Sequence, residues 1–180
     1  MTESLAQDLD PVARPSEYVA FMLSLLGDDD PAEVQAATPA ALQDLAARAG
    51  ASIRTRPAEG EWSVVELIGH FTDAELVGAA RYRWVLSHDA PELIAYDQDL
   101  WVDRLGHRDR PAEELLEFHG VLRGENLRLW ERTPVQERER YGIHAERGRE
   151  SFEQLFRTIA GHDRFHLEQI RRTLEAVLGT

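Results

Sequence analysis

The C-terminal segment carries the strongest helical pattern in this sequence. Its apolar residues recur every three or four positions: Phe152, Leu155, Phe156, Ile159, Ile170, Leu174 and Val177. This is the spacing of one face of an α-helix. His162 and His166 continue the same row, so we expect both imidazoles to face the core. Side chains at i and i+4 lie one above the other, roughly 5–6 Å apart between Cβ atoms, and two imidazoles so placed could bind one metal ion.

Helix start signals place the other helices. Ser63 opens a capping box, with a glutamate three residues later, and a long apolar pattern follows it. Asp30-Pro31 and Thr38-Pro39 each set a capping residue before a proline, which predicts two separate helix starts. Altogether, the sequence predicts helices over residues 16–26, 32–37, 38–49, 63–87, 111–132 and 151–178.

The predicted architecture is all-α, because no segment shows the alternation that is typical of strands. Four substantial helices around one apolar core form a four-helix bundle, and the helices before them form a helical N-terminal extension. A chain of 180 residues has the length of one domain. We divide it into a flexible tail over residues 1–14, the helical extension over 15–37, and the bundle domain over 38–180.

Composition excludes several classes of partner. The net charge is −13, whereas nucleic acid requires a basic surface, so we expect no nucleic-acid partner. The sequence contains no apolar run of about 18 residues, and we expect no membrane partner. Its acidic N-terminus lacks the pattern of a secretory signal, so we expect a cytoplasmic protein. The remaining expectations are a small-molecule substrate and possible pairing of two bundles as a homodimer.

Two reactive side chains are missing altogether. The sequence has no cysteine, and all 20 of its basic residues are arginine. The chain therefore offers neither a thiolate nucleophile nor a lysine for Schiff-base chemistry. Any thiol that takes part in its chemistry must arrive on a small molecule.

His70 is the candidate for a third metal ligand. It lies on the predicted inner row of the helix after Ser63, and helix bundles commonly assemble metal sites from inward side chains. Three imidazoles would leave further coordination positions open, as in catalytic zinc sites. An inward histidine can equally be a hydrogen-bonded core residue, and the spacing does not establish that His70 is near the other two histidines.

Two segments resemble the signatures of a known family. Residues 62–73, WSVVELIGHFTD, are similar to the W-S-x-x-E-x-x-x-H-x-x-D signature of the DinB-like (DinB/YfiT) superfamily. Residues 160–170, AGHDRFHLEQI, are similar to its closing H-D-x-x-H-x-x-Q-I helix. Both occur in the expected order, and the resemblance covers about residues 39–178.

This resemblance implies an up-down-down-up four-helix bundle. It also implies a divalent metal, most often zinc or nickel, on the histidines that match the motifs: His70, His162 and His166. Related proteins include bacillithiol S-transferases and a mycothiol-dependent maleylpyruvate isomerase, while others are described only as metal-dependent hydrolases. We therefore expect a metal that activates a small-molecule thiol, as in an S-transferase, or a water, as in a hydrolase. The alternative is a non-catalytic, stress-related bundle that binds a metal or ligand.

Further candidates for the site lie outside the helical rows. Asp97 and Asp99, in the long connection over residues 88–108, are candidate catalytic residues that could orient a ligand histidine or act on the nucleophile; they could equally cap a loop. Trp101 and His144 are candidate substrate-binding residues, with a core position and a surface loop as the respective alternatives.

Several other polar residues admit a plain structural role. His119 and Asn126 are consistent with core residues whose polar atoms are hydrogen-bonded. Asp73 is consistent with a position on the flank of its helix. Asp163 is open to either a flank position or a contact with a metal-ligating histidine. His107 carries no spacing signal.

Overall fold

The computed structural model describes residues 13–179. Its α-helices are α1 (Pro15–Leu26), α2 (Pro31–Ala49), α3 (Val64–Ser87), α4 (Gln98–Arg104), α5 (Ala112–Arg132) and α6 (Phe152–Leu178). Short 3₁₀ helices cover Gly50–Ser52, His107–Asp109 and Val135–Glu139. Three strands, β1 (Glu92–Leu93), β2 (Tyr141–His144) and β3 (Gly148–Ser151), form one small sheet in that order. Except for residues 13 and 14, the predicted N-terminal tail lies outside the described residues.

The four long helices form the predicted bundle. Both α2 and α3 pack against α5 and against α6, so α2 and α3 occupy opposite corners although they follow one another in the chain. The all-helical bundle core is thereby confirmed. No helix within residues 13–179 has the length and apolarity that crossing a bilayer requires.

Two apolar clusters fill the bundle, one towards each end. One cluster includes Leu42, Leu45, Val64, Leu67, Ile68, Phe71, Leu115, Ile170 and Leu174. The other includes Tyr82, Val85, Leu93, Leu129, Trp130, Phe152 and Phe156. Along α3, α5 and α6, buried polar side chains occupy the turns between these clusters. This middle layer is where the bundle carries its charged and imidazole groups.

The predicted break between residues 37 and 38 is wrong, because α2 runs without interruption from Pro31 to Ala49. Pro39 has no N–H to donate to the carbonyl of Gln35, four residues earlier. That carbonyl instead accepts a hydrogen bond from Nη1 of Arg123 on α5, at 3.1 Å. A partner from another helix thus satisfies the group that the proline leaves free, and the helix continues.

The sheet is a feature that the sequence did not predict. β2 and β3 form a hairpin in which Gly142 pairs with Glu150, and β1 joins β2 in parallel. A Cβ on Gly142 would lie 2.7 Å from Cγ of Leu93, so only glycine allows this close approach. Strands of two to four residues are too short to show a two-residue period.

Helix α1 lies against α6, with Met22 buried at the contact. Arg164 of α6 donates to the carbonyl of Leu25 at 2.8 Å, and Arg157 donates to that of Gly27 at 3.0 Å. These arginines satisfy carbonyls at the C-terminus of α1 and oppose the negative end of its dipole. The extension is therefore packed against the bundle.

Gly161 sets the distance between α1 and α6. A Cβ added at this position would lie 1.9 Å from the carbonyl oxygen of Met22, and backbone cannot yield as a flexible side chain does. We expect Gly161→Ala to lower the free energy of unfolding by about 1–3 kcal/mol, as overpacking does. Gly120→Ala is the matched control, because open space surrounds Gly120 on α5, and it should stabilise the chain by up to about 1 kcal/mol. Urea denaturation measures both, and equal stability of the two variants would contradict the packing described.

Candidate metal centre

Three histidines from two helices meet in the middle layer. Nε2 of His70 on α3 lies 2.9 Å from Nε2 of His162 and 3.2 Å from Nε2 of His166, both on α6. All three residues are buried. The structure therefore brings together the three histidines that the motifs singled out, although nothing in the spacing alone joined His70 to the other two.

The local sequence explains why His70 is held firmly. α3 begins at the predicted capping box, where the Glu66 carboxylate accepts from the backbone N–H of Ser63 at 2.8 Å and from its hydroxyl at 2.6 Å. The Trp62 ring, just before the cap, lies 5.1 Å from the His70 ring. The motif thus fixes the helix start and places an aromatic wall beside the imidazole two turns later.

The spacing of these nitrogens fits a divalent metal. Tetrahedral zinc with Zn–N bonds of about 2.0–2.1 Å places its nitrogen ligands roughly 3.3 Å apart. The Nε2 separations of 2.9 and 3.2 Å from His70 are close to that value. A single proton shared between two imidazoles does not explain why a third nitrogen converges on the same point. The donor set is nitrogen only, and imidazole suits zinc, copper, iron and nickel.

The hydrogen bond of one outer ring nitrogen, Nδ1 of His166, is consistent with an Nε2 lone pair that faces the other two histidines. Nδ1 of His166 lies 2.7 Å from Oε1 of Gln169. An amide oxygen only accepts, so Nδ1 carries the hydrogen and Nε2 keeps a free lone pair. Nδ1 of His70 and Nδ1 of His162 are buried and have no hydrogen-bond partner among residues 13–179. Gln169, the Q of the closing motif, therefore fixes the tautomer of one of the three imidazoles.

Burial keeps these imidazoles uncharged. Burial first, and then His166 and His107, hold the pKa of His70 well below its usual value. The pKa of His162 is depressed in the same way by burial and by its imidazole neighbours. Burial lowers the pKa of His166 to about 4 against the opposing effect of Gln169. At neutral pH all three are neutral, which is the form that binds a metal.

A cavity of about 1190 Å³ opens beside the three histidines. α1, α3, α6, the long connection and the β-hairpin all contribute to its lining. Ligand pockets commonly measure about 300–1,000 Å³, so this cavity has room for a sizeable small molecule. All three imidazoles lie on its wall, where a bound molecule can reach their convergence point.

The four further candidates are placed differently. His144 is buried on β2 and lines the cavity. Asp97 and Asp99 also line it, from exposed positions. Asp97 caps α4, where it accepts from the backbone N–H of Leu100 at 2.9 Å. Trp101 does not line the cavity; it packs on Tyr96, with ring centroids 4.7 Å apart.

The expectation of a plain helix flank for Asp163 is wrong, because Asp163 belongs to a fully buried ion cluster. Its carboxylate contacts Arg123, which also lies 2.8 Å from a carboxylate oxygen of Glu75. Although burial disfavours the charge of Arg123, the two carboxylates raise its pKa. Asp163 contacts none of the three histidines through a hydrogen bond within residues 13–179. Arg123 and Glu75 were not predicted from the sequence; their position on the inward rows of α5 and α3 was the available signal.

A second buried pair was also missed. Nε2 of His107 lies 2.7 Å from Oδ2 of Asp73, and both residues are buried. The His107 ring occupies the space that a Cβ on Gly69 would need, since such an atom would lie 2.4 Å from its Cγ. Asp73, the final residue of the first motif, therefore anchors the long connection to α3 directly behind His70.

Comparison with known proteins identifies the family. The model of the DinB superfamily matches residues 32–170, which is most of the chain and includes all three histidines. The chain belongs to the DinB superfamily. This agrees with the two motifs, and α1 lies outside the matched range.

Individual DinB-like relatives are distant. A protein of Oceanobacillus iheyensis described as a "putative metal-dependent hydrolase" is 23% identical over 116 residues, which are 64% of this chain and 66% of the relative. The match thus spans slightly less than two thirds of that protein. The solved structure of YfiT from Bacillus subtilis, described as "a probable metal-dependent hydrolase with an unusual four-helix bundle topology", has a TM-score of 0.77 and 20% identity over 84% of this chain and 87% of that one. This likeness shows that the two share a fold.

Gln169 provides a test of the ligand arrangement. We expect Gln169→Leu to weaken metal affinity roughly 10- to 100-fold, because partners of ligand histidines typically contribute that much. Glu168→Ala is the control, since its side chain is exposed and pairs with Arg171 on the same helix. Competition with a chromogenic chelator measures both affinities. Equal affinity in wild type and Gln169→Leu would show that this hydrogen bond does not hold His166 for a metal.

Proposed function

We propose that this chain is a metal-dependent enzyme in which His70, His162 and His166 hold a divalent metal, zinc or nickel. The observation that best supports this proposal is that three Nε2 atoms converge on the wall of a cavity large enough for a substrate. A metal at this point would lower the pKa of a coordinated thiol or water and would polarise a substrate carbonyl. The proposed reaction is either transfer of a small-molecule thiol to an electrophile or hydrolysis.

The protein's own residues would hold the metal-binding imidazoles in position and shield the cavity from water. Gln169 holds the His166 ring, and the Trp62 ring packs beside His70. α1 covers one side of the cavity with Tyr18 and Phe21, which limits the access of bulk water. Since the chain has no cysteine, the thiol of the transferase version must come from solution.

The transferase and hydrolase versions make different demands on the substrate. A thiol transferase must hold two small molecules at once, and a cavity of about 1190 Å³ provides that room. Hydrolysis requires only one molecule and a water, and the descriptions of the two relatives favour it. A bundle that only sequesters a metal needs no large cavity beside the imidazoles, so the cavity disfavours that reading; a ligand-binding bundle is separated from an enzyme by measuring turnover.

A panel assay separates these versions. Metal-loaded protein is supplied with an electrophile and, in turn, with bacillithiol, mycothiol, coenzyme A and glutathione; parallel reactions contain ester or amide substrates without thiol. We expect one class of reaction to depend on the metal and to fall in His166→Ala to the rate of metal-free protein. His88→Ala is the control, because His88 is an exposed histidine away from the cavity lining.

Each outcome of the panel is decisive for one version. A rate that requires a thiol supports the transferase, and a thiol-independent rate supports the hydrolase. Full metal occupancy with no metal-dependent rate in either arm would contradict the proposed enzyme and leave a metal-binding bundle.

A further inference from the structure

The same cavity reaches a second polar group that the metal chemistry does not use. Arg81 lines the cavity from α3 and is only 8% exposed. It follows His70 by eleven residues, which separates the two Cα atoms by about 16 Å along the helix axis. The three histidines of the candidate metal centre therefore lie towards one end of the cavity, and the buried Arg81 guanidinium lies towards the other.

Among residues 13–179, the Arg81 guanidinium has no carboxylate as a hydrogen-bond or ion-pair partner. Its Nη2 donates to the carbonyl of Ile94 at 2.6 Å, and its buried Nε has no hydrogen-bond partner among residues 13–179. Both carboxylate oxygens of nearby Glu150 are taken by Arg147, at 2.7 and 3.0 Å. Glu150 therefore pairs with Arg147 and not with Arg81. A buried charge without a partner is costly, and a bound anion would remove that cost.

His144 adds a second donor, for which residues 13–179 supply no acceptor. The backbone N–H groups of Glu146 and Arg147 point at Nδ1 of His144, at 3.2 and 3.4 Å, so Nδ1 accepts and Nε2 carries the hydrogen. That Nε2 lies 3.0 Å from Nη2 of Arg81, which can only donate. Two donors therefore face each other in a buried position, and an oxyanion between them would accept from both.

We propose that Arg81 and His144 form a subsite for the carboxylate or phosphate of an elongated substrate. Its reactive end would reach the three histidines, and in this respect the assignment rests on the proposed function. The substrate class is accordingly a small molecule with its anionic group up to about 16 Å from the reacting atom.

The charges around the cavity agree with this assignment. Although the chain carries a net charge of −13, the acids that line the cavity, Glu61, Asp97, Asp99 and Glu146, are all exposed, while Arg81 is buried. Charge-assisted hydrogen bonds are strongest away from water. The subsite therefore selects an anion although the protein as a whole is acidic.

Direct binding measurements test the subsite without relying on turnover. L-malate and inorganic phosphate are titrated separately into full-length protein by calorimetry, at constant ionic strength, both as purified and after removal of divalent metal. We expect at least one of them to bind in both preparations. Arg81→Met should weaken binding roughly 10- to 100-fold, since it removes a charged donor. Arg128→Met is the control, because Arg128 is exposed on α5, where it pairs with Glu125, and is absent from the cavity lining.

The anion subsite can be shown to be wrong even if the three histidines bind a metal. If neither anion binds the wild type, or if Arg81→Met binds as tightly as the wild type, the subsite is wrong even where metal binding is intact. Loss of binding on metal removal alone would show that the anion coordinates the metal instead, which also overturns the subsite. Should Arg81→Met fail to fold, Arg81→Lys decides: it keeps the charge but loses the planar fork, so we expect several-fold weaker binding, and unchanged binding would contradict the assignment.

Discussion

One buried guanidinium joins all four helices of the bundle. Arg123 extends from α5 and contacts Glu75 on α3 and Asp163 on α6, and it also donates to the Gln35 carbonyl on α2. Thr38 of α2 completes the cluster by donating to Asp163 at 2.7 Å. Removing one member of such a cluster leaves an uncompensated charge in the core. The cluster therefore specifies how the helices pair, and Asp163 directly follows a metal-centre histidine in the chain.

This polar layer explains why the site lies at mid-height in the bundle. Apolar clusters close the core on either side of it, so that the helices are held rigidly both above and below the imidazoles. His162 belongs to the candidate metal centre and Asp163 to the ion cluster, so α6 cannot rotate without disturbing both. Rigid packing of this kind around a site keeps its side chains in position.

The sequence predicted most of the bundle and the three histidines, for identifiable reasons. His162 and His166 continue a regular apolar row, and the capping box at Ser63 places His70 two turns into its helix. Spacing within each helix could not show that α3 faces α6; the family motifs supplied that pairing. The ion cluster was missed because a polar residue on an inward row, such as Arg123, resembles an exposed one until its partners on other helices are known. The continuity of α2 through Pro39 depends on the same contact and was missed with it.

X-ray absorption at the metal edge can show whether His70, His162 and His166 are ligands of one divalent metal, as we propose. We expect about one ion per purified chain, with three imidazole nitrogens at about 2.0–2.1 Å if the ion is zinc. We also expect His162→Ala to lose this spectrum and His88→Ala to retain it. Purified wild type without a stoichiometric metal, or a bound ion whose spectrum is unchanged in His162→Ala, would contradict the proposed ligand set.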